Sequence, residues 1–314
     1  MRFYALISAL ALAACSASTE APAPKAGGGW AIEPGDDLGA FLDCIEKEGA
    51  SLIAAHRGGP EAGYPENALQ TFEHTLAQVP ALLEIDVATS SDGVLYLMHD
   101  DRLERTTTGE GDANALPWSA IEQLRLEDDH GAATDFAPTR FDDALAWAKG
   151  RTILEVDFKP TTSFAAVAAE IKRQQAEDRI ILIAYTLGQA EKLHALLPEA
   201  MISLSINSIS DLNRAVAAGV PADRIVAFTG VEKPDPHLYD ALEDRDVEVI
   251  FGTLGGRDSI DNEIASSGDG SLYSELSEEG VDIIATDRPE AANAALKTAG
   301  RAVKPGACGI ARGE

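Results

Sequence analysis

The sequence predicts an α/β chain folded as a (β/α)8 TIM barrel, on three observations. Short apolar runs recur along the chain, stretches of helical spacing separate many of them, and no linker or shift in composition interrupts the alternation. In order, the runs are Leu52–Ala55, Leu82–Val87, Val94–Met98, Ile153–Val156, Ile180–Ala184, Met201–Ile206, Arg224–Phe228, Val247–Phe251 and Val281–Ala285. Runs of this continuous kind suit strands buried on both faces, which argues a parallel sheet covered by helices. Helical patterns occupy Asn67–Gln78, Phe141–Lys149, Phe164–Gln175, Gly188–Leu197, Ser210–Ala218 and Asp235–Asp244. About eight or nine strands in about 250 residues favour an eight-stranded barrel over an open sheet. No internal repeat stands out, and residues 36–314 read as one domain.

With 45% hydrophobic residues among its 314, the chain can bury a large core. Asp and Glu number 52 against 25 Lys and Arg, giving a formal net charge of −27. Such a surface repels phosphate backbones, so nucleic acid is not an expected partner. Three cysteines are too few for a disulfide-rich scaffold or a cysteine zinc cluster.

The apolar run from Tyr4 to Ala14 follows Met1-Arg2-Phe3. It is too short to span a bilayer and has the length of a secretory signal. Its end, Leu12-Ala13-Ala14-Cys15, resembles the lipobox of bacterial lipoproteins; an ordinary cleavage beside an incidental cysteine is the alternative. The resemblance implies a signal peptide over residues 1–15, acylation of Cys15, and a lipid-anchored protein of the bacterial cell envelope, periplasmic or at the outer membrane. Residues 16–35 are taken as a flexible tether, small and rich in Pro and Gly as far as Gly29. In an oxidising compartment Cys44 and Cys308 would either pair, stapling the ends of the domain, or remain thiols.

Polar residues gather where the apolar runs end. His56-Arg57-Gly58-Gly59 follows the first run, Glu84 and Asp86 interrupt the second, His99-Asp100 follows the third, and Glu155, Asp157 and Lys159 mark the fourth. Residues two apart on a strand share a face, so Glu84 projects with Asp86, and Asp157 with Lys159. Barrel enzymes place their chemistry at the C-terminal strand ends. Three carboxylates meeting there would repel each other, and one divalent cation, Ca²⁺ or Mg²⁺, is the simplest remedy for an all-oxygen set. His56 and His99 beside it suit a general acid and base, and Arg57 and Lys159 an anionic group such as a phosphate. The set points to metal-assisted hydrolysis of a phosphodiester.

His56-Arg57-Gly58-Gly59, Pro65-Glu66-Asn67-Ala68, Glu84-x-Asp86, Asp92-Gly93, His99-Asp100 and Arg105-Thr106-Thr107, in this order, resemble the glycerophosphodiester phosphodiesterase family. The run from Gly280 to Pro289 is similar to that family's last strand and its exit. The resemblance implies the same barrel, His56 and His99 as catalytic histidines, and Glu84 and Asp86 as metal ligands. It further implies that Asp157 stands where the family usually has the Glu of a Glu-x-Lys pair, a feature closer to sphingomyelinase D-type phospholipases. Phe251-Gly252-Thr253-Leu254 replaces the Trp-Thr-x-Asn of many members, which bears on headgroup choice.

The implied substrate is a small glycerophosphodiester, cleaved to glycerol 3-phosphate and an alcohol. A lysophospholipase D or sphingomyelinase D-like phosphodiesterase is the alternative within the superfamily, and a non-catalytic envelope binding lipoprotein the alternative outside it. Glu66 and Asn67 read chiefly as a helix cap, and residues 255–270 as a polar loop near the site. The role of Glu155 stays open between a further ligand and an ion-pair partner.

Overall fold

Eight parallel strands close into a barrel in the computed structural model, which describes residues 28–313. They are β1 (Leu52–Ala55), β2 (Ala81–Thr89), β3 (Leu154–Phe158), β4 (Ile180–Ala184), β5 (Met201–Ser205), β6 (Ile225–Phe228), β7 (Val249–Gly252) and β8 (Ile283–Thr286). Each pairs with its neighbours in chain order, and β8 closes on β1, Ile283 beside Leu52 and Thr286 beside Ala55. Alternation along a strand sends successive side chains to opposite faces. Leu83, Ile85 and Val87 of β2 thus pack outward against helix residues such as Phe72 and Phe141. Leu82 joins the inner core with Leu52, Ile153, Ile181, Met201 and Ile283. Glu84 and Asp86 share Leu82's parity, so they enter the barrel where its apolar filling ends.

One apolar run is not a barrel strand. Leu95–Leu97, within the expected Val94–Met98, runs antiparallel to the end of β2, with Leu97 beside Val87. The cause is length. β2 is nine residues long and outruns its partners, leaving an edge that the turn at Ser90–Gly93 folds back upon. Asp92 accepts from the Ser90 hydroxyl at 2.6 Å and Gly93 takes φ +85°. The return carries His99 over the barrel mouth.

The other departures have local causes. Residues 255–270 are not all loop: Ile260–Ser267 is helical, capped by Ser259 accepting from the Asn262 N–H, with Asp261 and Ile264 buried. The expected tether over residues 16–35 does not extend through Trp30–Ile32. Trp30–Ile32 is a buried strand paired antiparallel with Ile310–Arg312, because Trp30 and Ile32 join the apolar plug that helix Leu38–Lys47 sets under the barrel. The proposed signal peptide, Cys15 and residues 16–27 of the expected tether lie outside the described residues. Among the described residues no helix is long and apolar enough to cross a membrane.

Cys44 on that plug helix is joined to Cys308 in a disulfide, Cα atoms 5.7 Å apart and 264 positions distant in sequence. The link ties the plug to the C-terminal segment and restricts the unfolded chain. Reducing it, or substituting both cysteines by serine, is expected to lower stability by roughly 2–5 kcal/mol. Denaturant melts with and without reductant measure this, and superimposable melts would contradict it.

Candidate active site

The sequence Ala55-His56-Arg57-Gly58 turns sharply as β1 ends. Arg57 takes φ +51° and Gly58 φ +86°, and a Cβ on Gly58 would meet the Phe72 ring at 2.2 Å. The turn aims the Arg57 N–H at Glu84 Oε2, 2.8 Å away. His56 donates through Nδ1 to Asp287 Oδ1 at 2.6 Å. Asp287 directly follows β8 and is itself held: its Oδ2 accepts from Gly255 N–H at 3.1 Å, and its N–H donates to buried Asp261 at 2.7 Å. Burial pushes the Asp287 carboxyl up, but the bond from His56 and its charge, with the Gly255 N–H and Arg57, together outweigh it and hold the group below its ordinary range.

His99 is built the same way from another element. Its Nδ1 donates to Asp100 Oδ1 at 2.6 Å, and Arg105 grips Asp100 through Nε at 2.6 Å. The Arg105 bond, set against partial burial, keeps the Asp100 carboxyl far below the usual carboxylate range. Arg105 also reaches both oxygens of Glu66, at 2.8 and 2.9 Å, and Arg57 meets Glu66 at 2.9 Å. Glu66 therefore links the two arginines instead of capping a helix. Asn67 is not a cap either: it donates to Asp86 Oδ2 at 2.7 Å and accepts from the Asp86 N–H at 3.0 Å. The helix Leu69–Gln78 starts after Ala68 without a side-chain cap.

Parallel pairing sets Glu84 beside Glu155 and Asp86 beside Asp157. Oxygens of Glu84, Asp86 and Asp157, all buried, lie within 4.8 Å of one another, and no other such group of acidic, His or Cys side chains occurs among the described residues. Lys159 bridges two of the three, with Nζ 2.6 Å from Asp86 Oδ1 and 2.7 Å from Asp157 Oδ2. Burial raises Asp86, yet Lys159 and then His99 outweigh it and hold this carboxyl down. Glu84 is pushed well above its ordinary value, first by burial and then by the Asp86 charge. Glu155 is pushed up to about 7 by burial, against a bond from Ser203. One lysine thus compensates the trio incompletely. Three converging hard oxygen donors with unbalanced charge are what a divalent cation fits, so the residues present suit a metal ion.

Two adjoining cavities share His56 and Leu254. One, about 200 Å³, has the acidic trio, His99 and Lys159 on one wall, and Ile183, Tyr185, Phe228 and Ile250 on the other. The second, about 590 Å³, is polar and lined by Arg57, Arg105, Arg288, Glu66 and Asp129. Arg57 Nε is buried there without a hydrogen-bond partner, 3.9 Å from Asp86 Oδ2.

His56, His99, Arg57, Lys159, Glu84, Asp86 and Asp157 are thus gathered at one end of the barrel. Sequence reasoning missed Asp287, Asp261, Glu66, Asn67 and Tyr185, whose hydroxyl meets Asp157. A model of the glycerophosphoryl diester phosphodiesterase family matches residues 56–214, half of the chain.

The chain belongs to the glycerophosphoryl diester phosphodiesterase family.

A solved member of this family from Parabacteroides distasonis superimposes with a TM-score of 0.80 at 27% identity, covering 91% of this chain and all of that one. A glycerophosphodiester phosphodiesterase from Bacillus altitudinis is 26% identical over 163 residues, 48% of this chain and 65% of that protein. The match to the Bacillus subtilis protein YqiK spans 56% of that relative, so less than two thirds of either curated Bacillus relative is covered. A phosphodiesterase from Oleispira antarctica, solved with the product sn-glycerol 3-phosphate, shares the fold at a TM-score of 0.62 and 22% identity.

Proposed function

We propose that the protein hydrolyses small glycerophosphodiesters to glycerol 3-phosphate and an alcohol, as a lipid-anchored enzyme of the bacterial envelope. The observation that carries the reaction is the pair of histidines, each with Nδ1 given to a carboxylate, His56 to Asp287 and His99 to Asp100. A neutral imidazole fixed in that way keeps its Nε2 lone pair free, and a charged one offers a proton there. One histidine would take the proton of the attacking hydroxyl while the other protonates the leaving alkoxide. The attacker is water or the neighbouring glycerol hydroxyl. Arg57, with its unpartnered Nε, and Lys159 would neutralise the phosphate oxygens. Glu84, Asp86 and Asp157 would hold one divalent cation, Ca²⁺ or Mg²⁺, which when bound polarises the phosphoryl group. The similarity to glycerophosphodiester phosphodiesterases from Parabacteroides distasonis and Bacillus altitudinis supports the substrate class, and the envelope placement rests on the apolar run that ends at Cys15.

A second reading, a lysophospholipase D-type activity, is favoured by the apolar wall of Ile183, Phe228, Ile250 and Leu254 and by Tyr185, 58% exposed at its rim. The test is one assay. The full chain in detergent, stripped with chelator, is given Ca²⁺ or Mg²⁺ together with glycerophosphocholine, glycerophosphoethanolamine or lysophosphatidylcholine. Cation-restored release of glycerol 3-phosphate, absent in Glu84→Gln, supports the first reading; cleavage of the lysolipid alone transfers support to the second. Binding of the cation without turnover of any diester would overturn both.

A further inference from the structure

The end of the barrel opposite the site holds another cavity, of about 230 Å³. Carboxylates crowd it: Asp43 and Glu46 from helix Leu38–Lys47, Glu243, Asp246 and Glu248 on the approach to β7, and Asp282 just before β8. Against them the lining offers one cation, Arg301. That guanidinium donates through Nε to Ser277 Oγ at 2.9 Å and also to the Ser277 carbonyl, and its charge is felt by Asp282 but not resolved at Glu248. Lys47 pairs with Asp43 at 3.1 Å, but from solvent.

An acidic surface is ordinary in a chain of net charge −27. Glu248 is not ordinary. It is only 8% exposed and lines the cavity. Among the described residues no other residue gives its carboxylate a hydrogen bond or an ion pair, and its only donor is its own main-chain N–H. Asp282 beside it accepts one bond, from the Val249 N–H at 2.7 Å. A nearly buried carboxylate lacking a countercharge is costly, and here it faces a water-sized chamber rather than a packed core.

We propose that this floor cavity is a binding site for an organic polyammonium ion, a diamine or polyamine whose ammonium groups pair with Glu248 and Asp282. The spacing of the acids selects that class over a bare metal ion. The trio at the barrel mouth is the sole group among the described residues with oxygens close enough to converge on one cation. The floor carboxylates are spread around a chamber instead, which suits separated charges on a flexible chain. Burial, aided by the neighbouring acids, pushes Glu248 up to about 8 and Asp282 up to about 7. A bound ammonium would therefore draw protons off the pair as it enters.

Isothermal titration calorimetry of the full chain with spermidine, in two buffers of different ionisation enthalpy, tests the site. Saturable binding with proton release is expected, and at least a tenfold loss of affinity in both Glu248→Gln and Asp282→Asn. Glu191→Gln, on the exposed face of helix Leu187–Leu196, should bind as the wild type does. Both floor variants are isosteric, and melting temperatures without ligand confirm that they fold. Unsaturable heat, or equal spermidine affinity in Glu248→Gln, would assign the binding to the general surface charge and overturn the proposal. A Ca²⁺ site lost in Glu248→Gln while spermidine binding persists would overturn it as well.

Discussion

Replacing His56 by alanine is expected to lower turnover of the best glycerophosphodiester by about 10²- to 10⁴-fold, with little change in KM, and His99→Ala should do the same. The size follows from the role. A positioned acid or base contributes only while the proton moves, so the loss falls on kcat. The geometry makes a sharper claim about Asp287, which meets His56 Nδ1 at 2.6 Å and has its backbone N–H tied to Asp261. Asp287→Asn keeps the volume but offers Nδ1 an amide that either donates or accepts, so the imidazole tautomer is no longer fixed. Its kcat should drop and its pH profile change shape, whereas a residue that served packing alone would leave the profile in place. Steady-state release of glycerol 3-phosphate between pH 5 and 9 measures all three variants. Retention of more than a tenth of wild-type kcat by His56→Ala would remove this histidine from the chemistry.

Much of this site was legible because the strand period is two and the barrel has a defined mouth. Glu84 and Asp86 interrupt an apolar run at a spacing that places both on one face, and β2 carries both into the barrel. Asp157 and Lys159 follow the same rule on β3. What was not legible depended on contacts between distant segments. Asp287 lies 231 positions from His56, and nothing local to it announces that its carboxylate will meet an imidazole. Glu66 and Asn67 have the composition of a helix cap, and their partners, Arg57, Arg105 and Asp86, become visible only once β1 and β2 are adjacent. The run Val94–Met98 misled for a different reason: a short apolar segment pairs equally well in a barrel or on the overhanging end of a long strand, and only the length of β2 decides. Trp30–Ile32 went to the tether because its two large apolar residues follow a Gly-rich stretch and precede Pro34-Gly35, with no periodicity to read over so short a span.

The two ends of the barrel handle buried carboxylates differently, and stability should report the difference. At the mouth Lys159 holds Asp86 down, while at the floor Glu248 has no such partner. A glutamic acid in the unfolded chain titrates near 4.5, and in the fold burial, reinforced by Asp282, Asp43 and Asp246, raises Glu248 to about 8. Between those two pH values the unfolded chain has released a proton that the folded chain retains. Folding then takes up a proton, so the contribution is favourable below about pH 4.5, is lost as pH rises towards 8, and is constant above. A gap of that width corresponds to about 5 kcal/mol lost across the interval, and Asp282, raised to about 7, acts in the same direction. Asp86, Asp100 and Asp287 are held low, and their stabilisation fades only as pH falls through the acid range, outside this window. Glu248→Gln supplies a neutral side chain of the same shape at every pH. Its melting temperature should exceed the wild type's by several degrees at pH 8.5, and the advantage should vanish by pH 5. Thermal melts of both proteins at half-unit steps, in a buffer free of amines, follow the gap directly. An advantage that stays constant over the range would mean that Glu248 does not titrate between pH 5 and 8.5, and would overturn the assignment of this pH dependence to it.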